Sequence, residues 1–247
     1  MVEYGPRIGL DLALGPRILS STIIQSMKSL SCSLVLGVLA VSRPALSAEV
    51  LFEADFREGP GPGWSWVREA PEAWRVKDGA LELRILPGNL WGGANDAKNV
   101  LVRPAPAPEG ATIEITVRFE NAPTEQYEQV NLAWYYDDSH MVKLGREIVD
   151  GPVCVVMGRE EKDRTRTVAR PPVPGGWYRL RLTVSGNEIR GAYWSEGATA
   201  WTEAGACTLP APPPGVGPKI SLHAYNGPKD KEHWARVTEF RVVRREP

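Results

Sequence analysis

The chain has 247 residues, 29 basic against 30 acidic side chains, and a formal net charge of −1. That balance excludes bulk attraction to nucleic acid or to an anionic membrane surface. Hydrophobic residues make up 43%, enough for a sizeable core, and the 24 glycines and 22 prolines fall mostly at breaks between short apolar runs, which suits turns and excludes collagen-like repeats.

The first 48 residues read unlike the rest. Met1–Ser26 has no amphipathic pattern. In Met27–Ala48 one lysine precedes the apolar run Leu30–Val41 and small residues follow, the layout of a secretory signal peptide, with cleavage after Ser47 or Ala48. Met27 is then a candidate start. The run is short for a membrane span and is interrupted by serines and Arg43. The expectation is a secreted or periplasmic protein with no membrane attachment after cleavage. Cys32 falls inside this leader. Cys154 and Cys207 remain, available to one disulfide or left as thiols. No Cys/His cluster suggests zinc.

From residue 49 to 247 the pattern is that of one all-β domain. Val50–Asp55 reads as a first strand. Trp74–Val76 and Leu81–Ile85 flank a hairpin turn at Asp78-Gly79. Asn95–Lys98 is the one stretch suited to a helical turn, and Asn99–Arg103 follows as a strand. Ala111–Phe119 alternates, with Ile113, Ile115 and Val117 on one face. Val130–Tyr136 and Met141–Ile148 flank the polar turn Asp137–Ser139. Pro152–Gly158 leads to a charged tip, Arg159–Arg166, which reads as a solvated hairpin end, and Thr167–Ala169 returns. Trp177–Ser185 alternates, turns at Gly186-Asn187, and continues as Glu188–Ser195. After the proline loop Pro210–Pro218 come Lys219–Tyr225 and Trp234–Arg244. About a dozen short strands with glycine and proline turns predict a sandwich or barrel.

Alternation on the central hairpin sorts its side chains. Val130, Leu132 and Trp134 share one face with Val142 and Leu144. The other face carries Gln129, Asn131, Ala133, Tyr135, Lys143, Gly145 and Glu147. The plain reading is a solvated face of an antiparallel sheet. However, amides and small residues are poor strand formers, and together they would make a sugar-sized polar groove. Glu147 is the leading carboxylate, with Lys143 on the same face in reach to neutralise it. Trp66 and Trp91 sit in glycine-rich stretches, where an indole can stack on a pyranose or simply plug an end of the sandwich; Trp64 lies in the same stretch as Trp66. Ser221, His223 and Tyr225 alternate against Leu222 and Ala224, so His223 with Tyr225 is a candidate proton-abstracting pair in a lyase. A hydrolase would instead pair Glu147 with Glu69 or Glu128, and Glu72 is a further carboxylate in the Glu69 loop. Asp55, Asp230 and Glu239 are conceivable structural calcium ligands, although no calcium-loop motif is present; no other cofactor is indicated.

The stretches FEADF, WSWVRE, WRVKDGALELR, NLWGG, QYEQVNLAWYYDDSHMVKLGRE, WYRLRLTVSGNEIRGAYW and HWARVTEFRV together resemble the DUF1349-type concanavalin A-like jelly-roll domains, related to the C-terminal domain of β-xylosidases. The resemblance covers residues 52–244 and implies a sandwich of two curved antiparallel sheets. That fold serves binding modules and enzymes alike. Three functions follow as expectations. The first is a lectin-like domain that grips a polysaccharide or oligosaccharide in a concave sheet groove through Trp66, Trp91, Gln129, Asn131, Tyr135, Lys143, Glu147 and Tyr225. The second is a glycoside hydrolase or polysaccharide lyase using Glu147 and His223 in the same groove. The third is a structural or protein-interaction domain. The expected state is a monomer.

Overall fold

The structure, a computed structural model, describes residues 48–246. The leader read over residues 27–48 lies outside them but for its last residue. The described residues form β1 Ala48–Ala54, β2 Ser65–Val67, β3 Trp74–Lys77, β4 Ala80–Arg84, β5 Val100–Pro104, β6 Thr112–Glu120, β7 Gln129–Asp137, β8 His140–Ile148, β9 Val153–Glu161, β10 Arg164–Ala169, β11 Trp177–Ser185, β12 Glu188–Ser195, β13 Thr202–Thr208, β14 Lys219–Tyr225 and β15 Trp234–Arg245. Among them no helix is long and apolar enough to cross a membrane.

The strands build two antiparallel sheets. One runs β10-β9-β8-β7-β14-β5-β2, here the site sheet. The other, the back sheet, runs β13-β12-β11-β6-β15-β4-β3, with β1 added alongside β15. This is the all-β jelly-roll sandwich that the strand rhythm and the resemblance imply.

Side-chain alternation makes the core. In β6, Ile113, Ile115, Val117 and Phe119 are fully buried while their neighbours are partly exposed. Tyr178, Leu180, Leu182 and Val184 do the same on β11. From the site sheet Val130, Leu132, Trp134, Val142, Leu144, Val155, Met157, Ile220 and Leu222 face them in one cluster. Each such Val, Leu or Ile contributes roughly 1.5–3 kcal/mol of burial.

Several local expectations are corrected. The charged tip is narrower than its composition suggests: β9 continues to Glu161, and the turn is Lys162-Asp163, both at positive φ (54° and 59°). Alternation explains why the strand tolerates its charges. Arg159 reaches inward to the carbonyls of Thr208 and Leu209, and Glu161 accepts from the Ala211 N–H. Glu160 points to the opposite side and is fully buried. Asn95–Lys98 is not helical; the short helical turn is 3-10, at Pro71–Ala73, where the fixed φ of Pro71 suits a first helical position. β13 has the sequence TEAGACT, which carries no apolar alternation and was not legible as a strand. Cys154 and Cys207 are both free thiols, on β9 of the site sheet and β13 of the back sheet.

The outer face of the site sheet is the unusual surface. β7 is buried at eight of its nine positions, on both faces. The covering comes from the loop between β4 and β5. Leu90 and Ala97 from that loop pack with Val100, Val102, Tyr135, Met141 and Tyr225 in a second apolar cluster outside the sandwich. The loop shields one half of the sheet face and leaves the other half open.

Candidate functional site

The open half is a cleft of about 580 Å³. Its floor comes from β7 and β8, where Gln129 lies directly opposite Glu147. Its walls are Trp91 and Asn89 from the covering loop, Tyr127 just before β7, Val149 and Asp150 after β8, Val156, Thr167 and Arg170 from β9, β10 and the segment after it, and Asn226 after β14.

The floor is a closed hydrogen-bond network. Lys143 Nζ donates to Gln129 Oε1, to Glu147 Oε1 (3.4 Å) and to the Tyr225 hydroxyl (3.4 Å). Gln129 Nε2 donates to Glu147 Oε2 (2.9 Å) and to the Tyr127 carbonyl (2.9 Å). Asn131 Nδ2 adds a bond to Gln129 Oε1 (3.2 Å). Gln129, Lys143 and Glu147 are 2%, 2% and 5% exposed. Burial pushes the Lys143 ammonium down from its ordinary pKa, and Glu147 pulls it back up. Burial also holds the Tyr225 hydroxyl far above the usual phenol range, so it stays protonated. A buried ion pair persists only when its remaining valences are met, and here Gln129 and Tyr225 meet them.

Two glycines make the geometry possible. Asn131 and Gly145 are directly opposed, and a Cβ at Gly145 would fall on Asn131 Oδ1. A Cβ at Gly158 would fall on the six-membered ring of Trp91. The indole therefore lies down against β9, with Lys143 Nζ 4.6 Å from its ring centroid. Asn89 brackets Trp91, accepting from its N–H (2.9 Å) and donating to its carbonyl (2.8 Å). The next residue, Gly92, donates its N–H to Glu160 Oε1 (3.0 Å). Burial pushes the Glu160 carboxyl up to about 7, with Asp163 adding to the shift and the Gly92 N–H opposing it. Its Oε2 has no partner among the described residues.

The candidates from the sequence separate into three groups. Trp91, Gln129, Lys143 and Glu147 come together in the cleft. Asn131, His223 and Tyr225 lie on the same sheet face beside the floor, as direct cross-strand neighbours of one another and of Gln129, and each is fully buried. His223 stacks on Tyr225 (centroids 5.7 Å apart, 17° between planes) and shares a hydrogen bond with Ser221 Oγ (3.0 Å). Burial, helped by Lys143, pushes its pKa down to about 3, so the imidazole is neutral. Trp66 and Tyr135 lie elsewhere. Trp66 packs on the sandwich core and against Trp74 (5.3 Å). Tyr135 lies under the covering loop and donates its hydroxyl to Asp138 (2.7 Å).

The alternative carboxylates are engaged in structural bonds. Glu69 accepts from the Trp74 indole (3.0 Å), and Glu128 is fully buried against His233 (2.8 Å) and the N–H groups of Thr124 and Glu125. Asp55 pairs with Arg57, and Glu239 with Arg118 and Arg179. No group of three or more His, Cys, Asp or Glu placed to hold a metal ion occurs among the described residues.

Sequence reasoning missed Tyr127, Asp150, Arg170 and Glu160. Tyr127 is 48% exposed, has a φ of 67°, and lines the cleft through a side chain that nothing in the alternating pattern placed. Arg170 and Asp150 form an ion pair at the rim (2.7 Å).

A family model described as "Beta xylosidase C-terminal Concanavalin A-like domain" matches residues 53–243. The chain belongs to this family. Solved structures agree on the fold of this β-xylosidase C-terminal-type domain. The GH43 protein BlXynB of Bacillus licheniformis superposes with a TM-score of 0.68 at 19% identity, covering 77% of this chain and 39% of that one. A xylan β-1,4-xylosidase from Bacillus halodurans gives 0.66 at 16%, covering 77% and 38%. A protein of unknown function from Saccharomyces cerevisiae gives 0.55 at 17%, covering 73% of this chain and 95% of its own. The chain thus spans about two-fifths of the length of the bacterial enzymes it matches, and it corresponds to their C-terminal concanavalin A-like module rather than to a catalytic core. No curated protein matches it in sequence.

Proposed function

We propose that this domain is a lectin-like module that binds a glycan chain in the cleft of the site sheet, in line with the glycan-degrading enzymes whose C-terminal modules it resembles. One observation carries the reading: a buried, self-satisfied Gln129–Lys143–Glu147 network lines the same cleft as two aromatic side chains, Trp91 and Tyr127. The donors of Gln129 and Lys143 are already engaged. Glu147 still has lone pairs for sugar hydroxyls, while Thr167, Asn226 and Arg170 bring polar groups to the rim. Trp91 and Tyr127 offer apolar surface to a sugar ring. A leader over residues 27–48 would deliver such a module to the outside, where polysaccharides are met.

Binding is favoured over turnover by the state of the groups that would have to react. His223 is fully buried beside the floor, with no surface open to a ligand, and Glu147 is held by Lys143 and Gln129. The test is a panel of polysaccharides scored for both retention and released reducing or unsaturated ends. Retention without released ends is expected. Glu147→Gln replaces one carboxylate oxygen by an N–H donor and should weaken retention about tenfold, the equivalent of about 1.4 kcal/mol; it also strands the buried Lys143 charge and lowers the melting temperature, so retention is compared where both proteins are folded. Equal retention by wild type and Glu147→Gln would remove the cleft from the function, and sustained product release would favour the enzyme reading.

A further inference from the structure

A second groove lies on the other sheet. It is also about 580 Å³, and it opens where β6 ends and β11 and β15 begin, lined by Arg118, Glu120, Asn121, Trp177, Glu196 and Trp234. None of these residues contributes to the cleft of the site sheet.

Three features set this groove apart from an ordinary charged sheet face. First, Asn121 is only 8% exposed, and its Nδ2 has no partner among the described residues, although its Oδ1 accepts from the Tyr178 hydroxyl (3.0 Å). A buried amide left with an unpaired N–H loses the full cost of its desolvation, so a group that accepts from it is rewarded. Arg118 Nε is in the same position. Second, two indoles line the groove and are held rigidly by cations. Arg118 and Arg179 sit 4.7 and 4.8 Å from the Trp177 ring centroid, and Arg75 sits 3.9 Å from that of Trp234. Third, Gly176 has a φ of 93°, and any Cβ there would meet the Glu196 carboxylate. The glycine lets that carboxylate lie along the groove wall with no ion-pair partner among the described residues.

The charges of the lining define the ligand class. Arg118 pairs with Glu120 (2.8 Å) and Glu239 (3.3 Å), and Arg236 pairs with Glu82 (3.0 Å). Every guanidinium is matched, so the groove has no free cation to concentrate an anion, and Glu196 is its one carboxylate without an ion-pair partner among the described residues. It offers indole surface from Trp177 and Trp234, a buried amide donor and one carboxylate acceptor, Glu196, outside the ion pairs. A neutral, polyhydroxylated chain with apolar ring faces meets all three.

We propose that the Trp177–Trp234 groove is a second, independent site for a neutral oligosaccharide. The domain would then hold a polysaccharide at two points on opposite sheets, and linked sites raise apparent affinity on a long chain far above that on a short one. The second site stands or falls separately from the cleft.

Titration calorimetry with xylohexaose, cellohexaose and maltohexaose tests it, using the whole chain in a Glu147→Gln background, where the cleft is weakened about tenfold and the Trp177–Trp234 groove is untouched. At least one hexasaccharide should still bind. Trp234→Ala should weaken that residual binding about tenfold. Asn121→Asp should do the same while keeping the oxygen that accepts from Tyr178, so its fold is preserved, and the melting temperature checks this. If no hexasaccharide binds the Glu147→Gln protein, or if the residual binding is the same with both substitutions added, the second site is overturned. Loss of binding on Glu147→Gln alone, with nothing left to titrate, leaves the cleft assignment standing and removes only the groove.

Discussion

Lys143 and Glu147 are worth most to each other. Both are nearly fully buried, and each satisfies part of the other's charge at 3.4 Å. Removing one partner leaves a charge in a poorly solvated place, which costs more than the pair gains. Lys143→Met should therefore destabilise the domain by about 3–5 kcal/mol. The double variant Lys143→Met/Glu147→Gln carries no stranded charge and should recover more than half of that loss. Urea unfolding of wild type, both single variants and the double measures it. A double variant as unstable as the sum of the singles would mean that the two groups do not interact.

At the scale of elements, two glycines on adjacent strands make opposite predictions. A Cβ at Gly145 meets Asn131 and also the Val130 carbonyl oxygen at 2.6 Å, a backbone atom that cannot move aside. Gly145→Ala should cost stability, about 1–3 kcal/mol as overpacking does. A Cβ at Gly158 meets only the indole of Trp91, at the edge of a loop that can give. Gly158→Ala should leave unfolding nearly unchanged but lift the indole from β9, with a blue or red shift of tryptophan fluorescence and weaker glycan retention. Unaltered fluorescence and retention in Gly158→Ala would show that Trp91 is not seated by that glycine. The hairpin carrying Gly145 was legible in the sequence: Val130, Leu132 and Trp134 alternate against Gln129, Asn131 and Tyr135, and the structure keeps those faces. What could not be read was what covers the outer face. The loop that carries Trp91 has no period, and its docking depends on residues far along the chain, Asp163 and Ser139 on Asn95 and Glu160 on Gly92. Glu160 was hidden for a related reason. In a run of six charged residues, Arg159–Arg164, position within a strand decides burial, and the turn location that fixes that position was not evident. Trp66 and Tyr135 show the converse, since aromatic residues near polar neighbours are as readily packed inside as offered to a ligand.

Across the whole molecule, two buried titrating groups set opposite slopes on stability against pH. His223 has a folded pKa pushed down to about 3. Its unfolded form takes up a proton near its ordinary value of about 6.5, so the stability it confers is present above that pH and is lost as pH falls toward 3. Glu160 has a folded pKa pushed up to about 7. Its unfolded form ionises near its ordinary value of about 4.3, so its contribution is full below that pH and is lost as pH rises through 7. Each slope is on the order of 1 kcal/mol per pH unit within its window. The two windows overlap between roughly pH 4.3 and 6.5, where the slopes largely cancel, so these groups favour neither end there. Outside the overlap each acts alone. Melting temperature from pH 3 to 8 separates them. His223→Gln should flatten the acid limb below the overlap and leave the limb near pH 7 in place. Glu160→Gln should raise stability relative to wild type progressively as pH climbs from 5 to 8, because the carboxylate no longer has to ionise under the Trp91 loop, and should leave the acid limb unchanged. A Glu160→Gln difference that is constant across pH would place the ionisation of that carboxyl outside the window and would detach Glu160 from the stability of the loop it holds.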